Sequence, residues 1–170
     1  MAVDKYLKNV LGQVSEVSAT AVSTGVTEAN KIVALGTDGK LDSSVMPTGI
    51  GADTSVLSAS EALSAGDIVN IYNAAGTAKC RKADCSNGRR AHGFVLAVVA
   101  QDADATVYKD STITGLTIAA ADVGIPYYLS TGGAFSKTAP TTSGYISQEV
   151  GYSVSASEIA FEPQQPITLA

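Results

Sequence analysis

The stretch Asp67–Lys82, DIVNIYNAAGTAKCRK, decides the fold class. Two segments carrying β-branched and aromatic residues, Asp67–Asn73 and Thr77–Lys82, flank the turn formers NAAG and read as two strands. The same grammar continues towards the C-terminus. Strands are expected at Ala91–Gln101, Thr106–Lys109, Ile113–Ile118, Pro126–Ser130, Ala134–Lys137, Ile146–Tyr152 and Glu158–Glu162, with Ile167–Leu169 a candidate for one more. CSNG, STGG and PTTSG supply turns between them, and LTIAAADVG has room for one helical turn. Short, closely spaced strands with no helical period between them indicate a mainly β fold, a compact antiparallel β-barrel or sandwich over residues 56–170. Within it GFVLAVVA, Gly93–Ala100, is apolar on both faces and reads as a central strand covered on both sides.

Ahead of that domain lie two segments of different character. Over residues 1–28, Val3, Leu7, Val10, Val14, Val17 and Ala21 follow one another at steps of 4, 3, 4, 3 and 4, a heptad-like apolar seam. It predicts an N-terminal amphipathic helix, weakened by Gly12 and by valines of modest helix propensity. A helix this short is marginal in water and becomes ordered by packing on copies of itself, on a partner or on its own domain. Residues 29–55 read as an extended arm. NKIVALGTDGKLDSSVMPTGIGADTS, Asn30–Ser55, carries Ile32, Val33, Leu35, Leu41, Val45 and Met46, yet Gly36, Gly39, Pro47, Gly49 and Gly51 interrupt it. It is too apolar for a passive linker and too broken for a helix or a long strand. GTDGK is turn chemistry.

Composition narrows the functions. Hydrophobic residues make up 45% of the 170, sufficient for a core, while only 16% are charged. The net charge of -5 argues against nucleic-acid binding, which needs a basic face. One local exception is the cluster Lys79, Arg81, Lys82, Arg89 and Arg90, five of the eleven basic residues. It reads as a solvated hairpin or as an electrostatic contact with an acidic neighbouring subunit. No signal-peptide pattern opens the sequence and no apolar run reaches the length of a membrane span, so a soluble protein made in a cytoplasm is expected.

Candidates for chemistry are few. Cys80 and Cys85 stand at a C-x4-C spacing with His92 as the sole histidine, which falls short of a zinc site. They read as buried thiols on neighbouring strands, with a bridge across a hairpin as the alternative. Asp102 and Asp104 would share a strand face as an acid/base or cation pair, or lie in a solvated turn. No G-x-S-x-G elbow or P-loop occurs, and the G-x-G of Gly49 and Gly51 is followed by Thr54 where a dinucleotide turn needs glycine. Neither an enzyme nor a cofactor is expected; the chain reads as a structural or binding module.

The segments NKIVALGTDGKLDSSVMPTGIG, LSAGDIVNIY, KCRKADCSNGRRAHGFVLAVV, PYYLSTGGAFS and GYISQEVGYSVSASEIAFEPQQPI, in that order, resemble virion proteins of tailed bacteriophages. The likeness is greatest to small capsid decoration (cement) and head-fibre proteins, and covers Gly39–Gly49 and Leu63–Ile167. The resemblance implies a protein, often trimeric, on the outside of an assembled head, with the major capsid protein as partner and no membrane or nucleic acid involved. On this reading Val3, Leu7, Val10, Val14 and Val17, with Ile32, Val33, Leu35, Leu41, Val45 and Met46, make the capsid or subunit contacts. The alternative is a tail or fibre protein whose β domain meets the host surface, with Tyr127, Tyr128, Tyr145 and Tyr152 as candidate contacts.

Overall fold

Leu11 and Gly12 both take positive φ, 53° and 86°, and so close a two-residue turn between β1 (Lys5–Val10) and β2 (Gln13–Ser18). In this computed structural model, which describes residues 4–46 and 53–170, the front of the chain is therefore a β-hairpin, and the expected N-terminal helix is absent. The reason is local. Asn9 Oδ1 accepts a hydrogen bond from Gly12 N at 2.9 Å, and Asn73 Oδ1 accepts one from Gly76 N at 2.7 Å across a second turn of the same N-x-x-G form. NVLG thus does what NAAG does, and the valines on either side favour strand over helix.

The chain divides into two units, Met1–Gly51 and Ala52–Ala170. Beyond the hairpin, the first is wired by backbone and polar contacts. Thr20 N donates to Ile32 O and Ala34 N to Thr20 O, forming a short parallel bridge to Val33. Gly36 N donates to Lys40 O and Gly39 N to Gly36 O, so GTDGK is the expected turn. Two short 3-10 turns, Val26–Glu28 and Ser43–Val45, complete it, the latter capped by Asp42, whose side chain accepts from Ser44 N. Val3, Pro47, Gly49 and Gly51 lie outside the described residues.

The second unit is mainly β, as the sequence predicts. Its strands are β3 (Asp53–Ala59), β4 (Ile68–Ala74), β5 (Thr77–Lys82), β6 (Gly93–Phe94), β7 (Asp104–Ile113), β8 (Pro126–Leu129), β9 (Phe135–Ser136), β10 (Ile146–Ser147), β11 (Glu149–Ser155), β12 (Glu158–Phe161) and β13 (Ile167–Thr168). Nine of them form one sheet in the order β3-β5-β4-β6-β7-β12-β11-β8-β9, and β10 pairs with β13. Because β3 also pairs with β7, the hydrogen bonding of β3, β5, β4, β6 and β7 returns on itself. The β3–β5 pair is parallel, so the sheet is mixed rather than wholly antiparallel.

Three sequence expectations change here. Thr106–Lys109 and Ile113–Ile118 are not two strands: β7 runs unbroken to Ile113, and residues 114–118 form no strand. β3 starts at Asp53, within the segment read as arm, because its alternation matches β7 from Thr54↔Tyr108 to Ser58↔Asp104. GFVLAVVA is not a covered central strand: only Gly93 and Phe94 pair in a ladder, and Leu96 and Val98 point to solvent. Val95 and Val99 do turn inwards, and Val99 makes an isolated bridge to Leu63. LTIAAADVG holds a 3-10 turn at Ala120–Asp122.

Two apolar clusters hold the unit together. One gathers Ala59, Leu63, Val69, Cys80, Val95, Val99, Ala105 and Val107, mostly from the self-closing group of strands. The other centres on Phe94 and Phe161, which meet edge-on at 5.2 Å, and takes in Ile113, Leu129, Val150 and Ile159. Phe94 also stacks on Tyr108 at 5.5 Å, so one side chain ties β6 to both β7 and β12. Gln148, 3% exposed, completes the wall: its Oε1 accepts from Ala91 N and its Nε2 donates to Ala91 O and Gln164 O.

Candidate docking surface

The first unit buries none of its large apolar side chains among the described residues; Thr20 is its one buried residue. Eleven of the eighteen exposed large hydrophobics described fall in residues 4–46, although that span is the shorter one. Hydrogen bonds thus set the course of the backbone, while the side chains whose burial would hold it there face outwards. An isolated two-stranded hairpin is marginal in water, so this surface is a place to be covered.

The strand period distributes the seam. Opposed residues of an antiparallel pair share a face, and Asn9↔Val14 with Leu7↔Glu16 puts Leu7 and Val14 on one side. Tyr6↔Val17 and Val10↔Gln13 put Val10 and Val17 on the other. A helix would have gathered all four; the hairpin presents them two and two. Leu7 and Val14 are 73% and 70% exposed, Val10 is exposed and Val17 half-buried. In the arm, Ile32, Val33, Leu35, Leu41 and Met46 are exposed and Val45 half-buried. A hollow of about 310 Å³ is lined by Asp4, Ala19, Ala21, Ala34, Leu35, Gly36 and Thr37, most of them small or apolar.

Sequence reasoning missed the most exposed of the large apolar side chains described. Leu11 sits at the hairpin tip, fully exposed, in a left-handed conformation that suits Asn or Gly and costs a leucine about 1–2 kcal/mol. Val22 and Val26 were also missed and are exposed. The signal for Leu11 was in the N-x-x-G pattern, hidden by the heptad spacing.

The basic cluster spreads over β5 and the following turn. Lys82 pairs with Asp67 at 3.1 Å and Lys79 with Asp102 at 3.8 Å. Arg81 Nε donates to Asn70 Oδ1 at 3.1 Å and its guanidinium lies 4.1 Å over the Tyr72 ring. Arg89 adjoins Asp84, whose carboxyl is lowered: burial opposes this, but donors from Ser86 and Gly132 and the charge of Arg89 outweigh it. Arg90 lies against His92, and burial together with that cation holds the imidazole below the usual histidine range.

The remaining candidates for chemistry separate. Cys80 and Cys85 are buried, unbridged and in different apolar clusters, so no hairpin bridge forms. Burial pushes both thiols up, Asp84 adding to the effect at Cys85, which leaves them protonated and unreactive. Cys85 lies in a 3-10 turn rather than on a strand. Asp102 sits in a turn and Asp104 opens β7, both exposed, and no cluster of three metal-ligating side chains occurs among the described residues. Tyr127 belongs to the core, Tyr128 and Tyr145 are half-buried, and Tyr152 is exposed. Among the described residues no helix is long and apolar enough to cross a membrane.

Comparison with known proteins finds no match: no family model, no curated protein and no solved structure is similar to the chain.

Proposed function

We propose that this chain is a structural protein of a tailed-phage virion, a decoration or cement protein that binds the outside of the assembled head through its first unit and performs no catalysis. One observation carries the reading: a front unit that buries none of its described large apolar side chains precedes a β unit that has two apolar cores. Such a division suits an adaptor, in which one part is finished by its platform and the other is rigid cargo. The partner is the major capsid protein, and the copies meet as a trimer. The ordered motifs of the sequence, from GKLDSSVMPTG to the C-terminal strands, support the phage assignment.

The test is co-sedimentation of the purified chain with heads of its phage that lack it, followed by imaging of the decorated particles. Stoichiometric binding at a repeated site on the outer surface is expected, with density for residues 4–46 against the shell. Sedimentation only with tails, or no binding to either, contradicts the proposal.

Leu11 provides a finer test. Leu11→Asn relieves the left-handed strain and is expected to stabilise the hairpin by about 1 kcal/mol, because Asn tolerates that conformation. Slower amide exchange across β1 and β2 measures that gain. The same variant is expected to bind heads at least tenfold more weakly, since a buried leucine contributes about 1.5–3 kcal/mol. A more stable hairpin with undiminished binding would place the contact away from the tip.

A further inference from the structure

The second unit carries a pair of cationic and donor side chains that lack an acceptor. Asn70, 6% exposed, sits under them. Its Nδ2 donates to Arg90 O at 3.0 Å and approaches His92 Nδ1 at 3.3 Å, while its Oδ1 accepts from Arg81 Nε. Ile71 N–H also donates to His92 Nδ1, at 2.9 Å. With two donors aimed at Nδ1, the neutral ring must carry its proton on Nε2. Yet Arg90 Nε stands 2.7 Å from that same Nε2. Guanidinium Nε–H and imidazole Nε2–H are both donors, so two hydrogens converge where one acceptor is needed. Among the described residues no carboxylate pairs with Arg81 or Arg90, in contrast to Lys79 and Lys82.

A cavity of about 230 Å³ opens at this point, walled by Arg90, His92, Gln148, Pro163, Gln164 and Pro166. The wall is rigid: the Gln148 amide is committed to Ala91 and Gln164, and the two prolines bracket the loop. We propose that Arg90 and His92 form a binding site for a small oxyanion, a carboxylate or a phosphate, whose oxygens accept from both the guanidinium and His92 Nε2–H. Arg81, held by the same Asn70, adds positive charge behind the site. An anion between the two donors replaces their repulsion with two charge-assisted hydrogen bonds. Its source is either an acidic side chain of a neighbouring protein or a phosphate group, and the site stands apart from the apolar surface of the first unit in chemistry and in sequence.

His92 is the single histidine, so its ring signals in proton and nitrogen NMR need no assignment by elimination. The full chain is titrated with sodium phosphate and, separately, with sodium acetate, against sodium chloride at matched ionic strength. The expected result is a saturable movement of the His92 ring signals and slower exchange of Nε2–H with water, because the anion accepts from that proton while Nδ1 stays the acceptor for Ile71 N–H. Arg90→Gln, a change at an exposed side chain, is expected to abolish both effects while leaving the rest of the spectrum in place. Stronger binding of phosphate identifies a phosphorylated ligand; acetate binding as well or better identifies a carboxylate. Responses no larger than those to chloride, or an Arg90→Gln chain that responds like the parent, would overturn the assignment.

Discussion

A chain shortened to residues 52–170 is expected to unfold cooperatively at the same denaturant midpoint as the full chain and to lose all measurable attachment to phage heads. Both apolar clusters are built from residues 59 to 161, so the truncation removes nothing from either. Binding is different. Covering only three of the eleven exposed apolar side chains of the front unit gains roughly 5 kcal/mol, more than a thousandfold in affinity. Association and side-chain ordering offset part of that gain, and the loss should still exceed about a hundredfold. Urea unfolding and co-sedimentation read the two halves of the prediction separately. A combined Leu7→Ser, Leu11→Asn and Val14→Ser chain keeps the hairpin and should behave like the truncation. If the shortened chain binds as well as the full one, the β unit makes the contact.

Gly151→Ala is expected to be among the most damaging single substitutions in the β unit. Gly151 has φ 142°, a conformation L-residues rarely adopt, and it lies opposite Phe161 where β11 and β12 run side by side. A Cβ built there would lie 1.8 Å from the carbonyl oxygen of Ala160, which is backbone and cannot swing aside. Accommodating the methyl group means parting the two strands, which also loosens Val150, Ile159 and Phe161 in the core. Backbone strain and overpacking together should cost about 3 kcal/mol or more out of a total on the order of 5–15 kcal/mol. Phe94→Ala provides the scale, because deleting a buried phenylalanine costs about 3–5 kcal/mol. Denaturant midpoints at constant slope measure both. A Gly151→Ala chain within about 1 kcal/mol of the parent would mean that the β11–β12 pairing is looser than its register indicates.

The β unit was legible because its code is local. Turn formers at regular intervals and β-branched runs between them specify strands whatever their partners, and Thr77–Lys82 is recovered residue for residue. GFVLAVVA misled because an apolar run says only that its residues avoid water. Gly93 and Phe94 are buried in the sheet and Val95 and Val99 in an apolar cluster, while Leu96 and Val98 are left outside. The front of the chain misled for a related reason. Spacing by three and four implies one apolar face only if the backbone is helical, and Asn9 with Gly12 closes a turn that makes the period two. Pairings such as β3 with β7, about fifty residues apart, and the meeting of Asn70, Arg81, Arg90 and His92 depend on the tertiary arrangement, and no short motif encodes them. The apolar arm, in contrast, was readable as an uncovered surface, because Gly36, Gly39 and their neighbours deny it any regular element in which to hide its side chains.

The most direct measurement is amide hydrogen exchange of Lys5–Ser18 and Ile32–Met46, in the chain alone and bound to heads. The account predicts fast exchange in solution, far below the protection of β4 or β11, and strong protection on the particle. Equal protection of the front unit and the β unit in the unbound chain would show that the front unit needs no platform, and would contradict it.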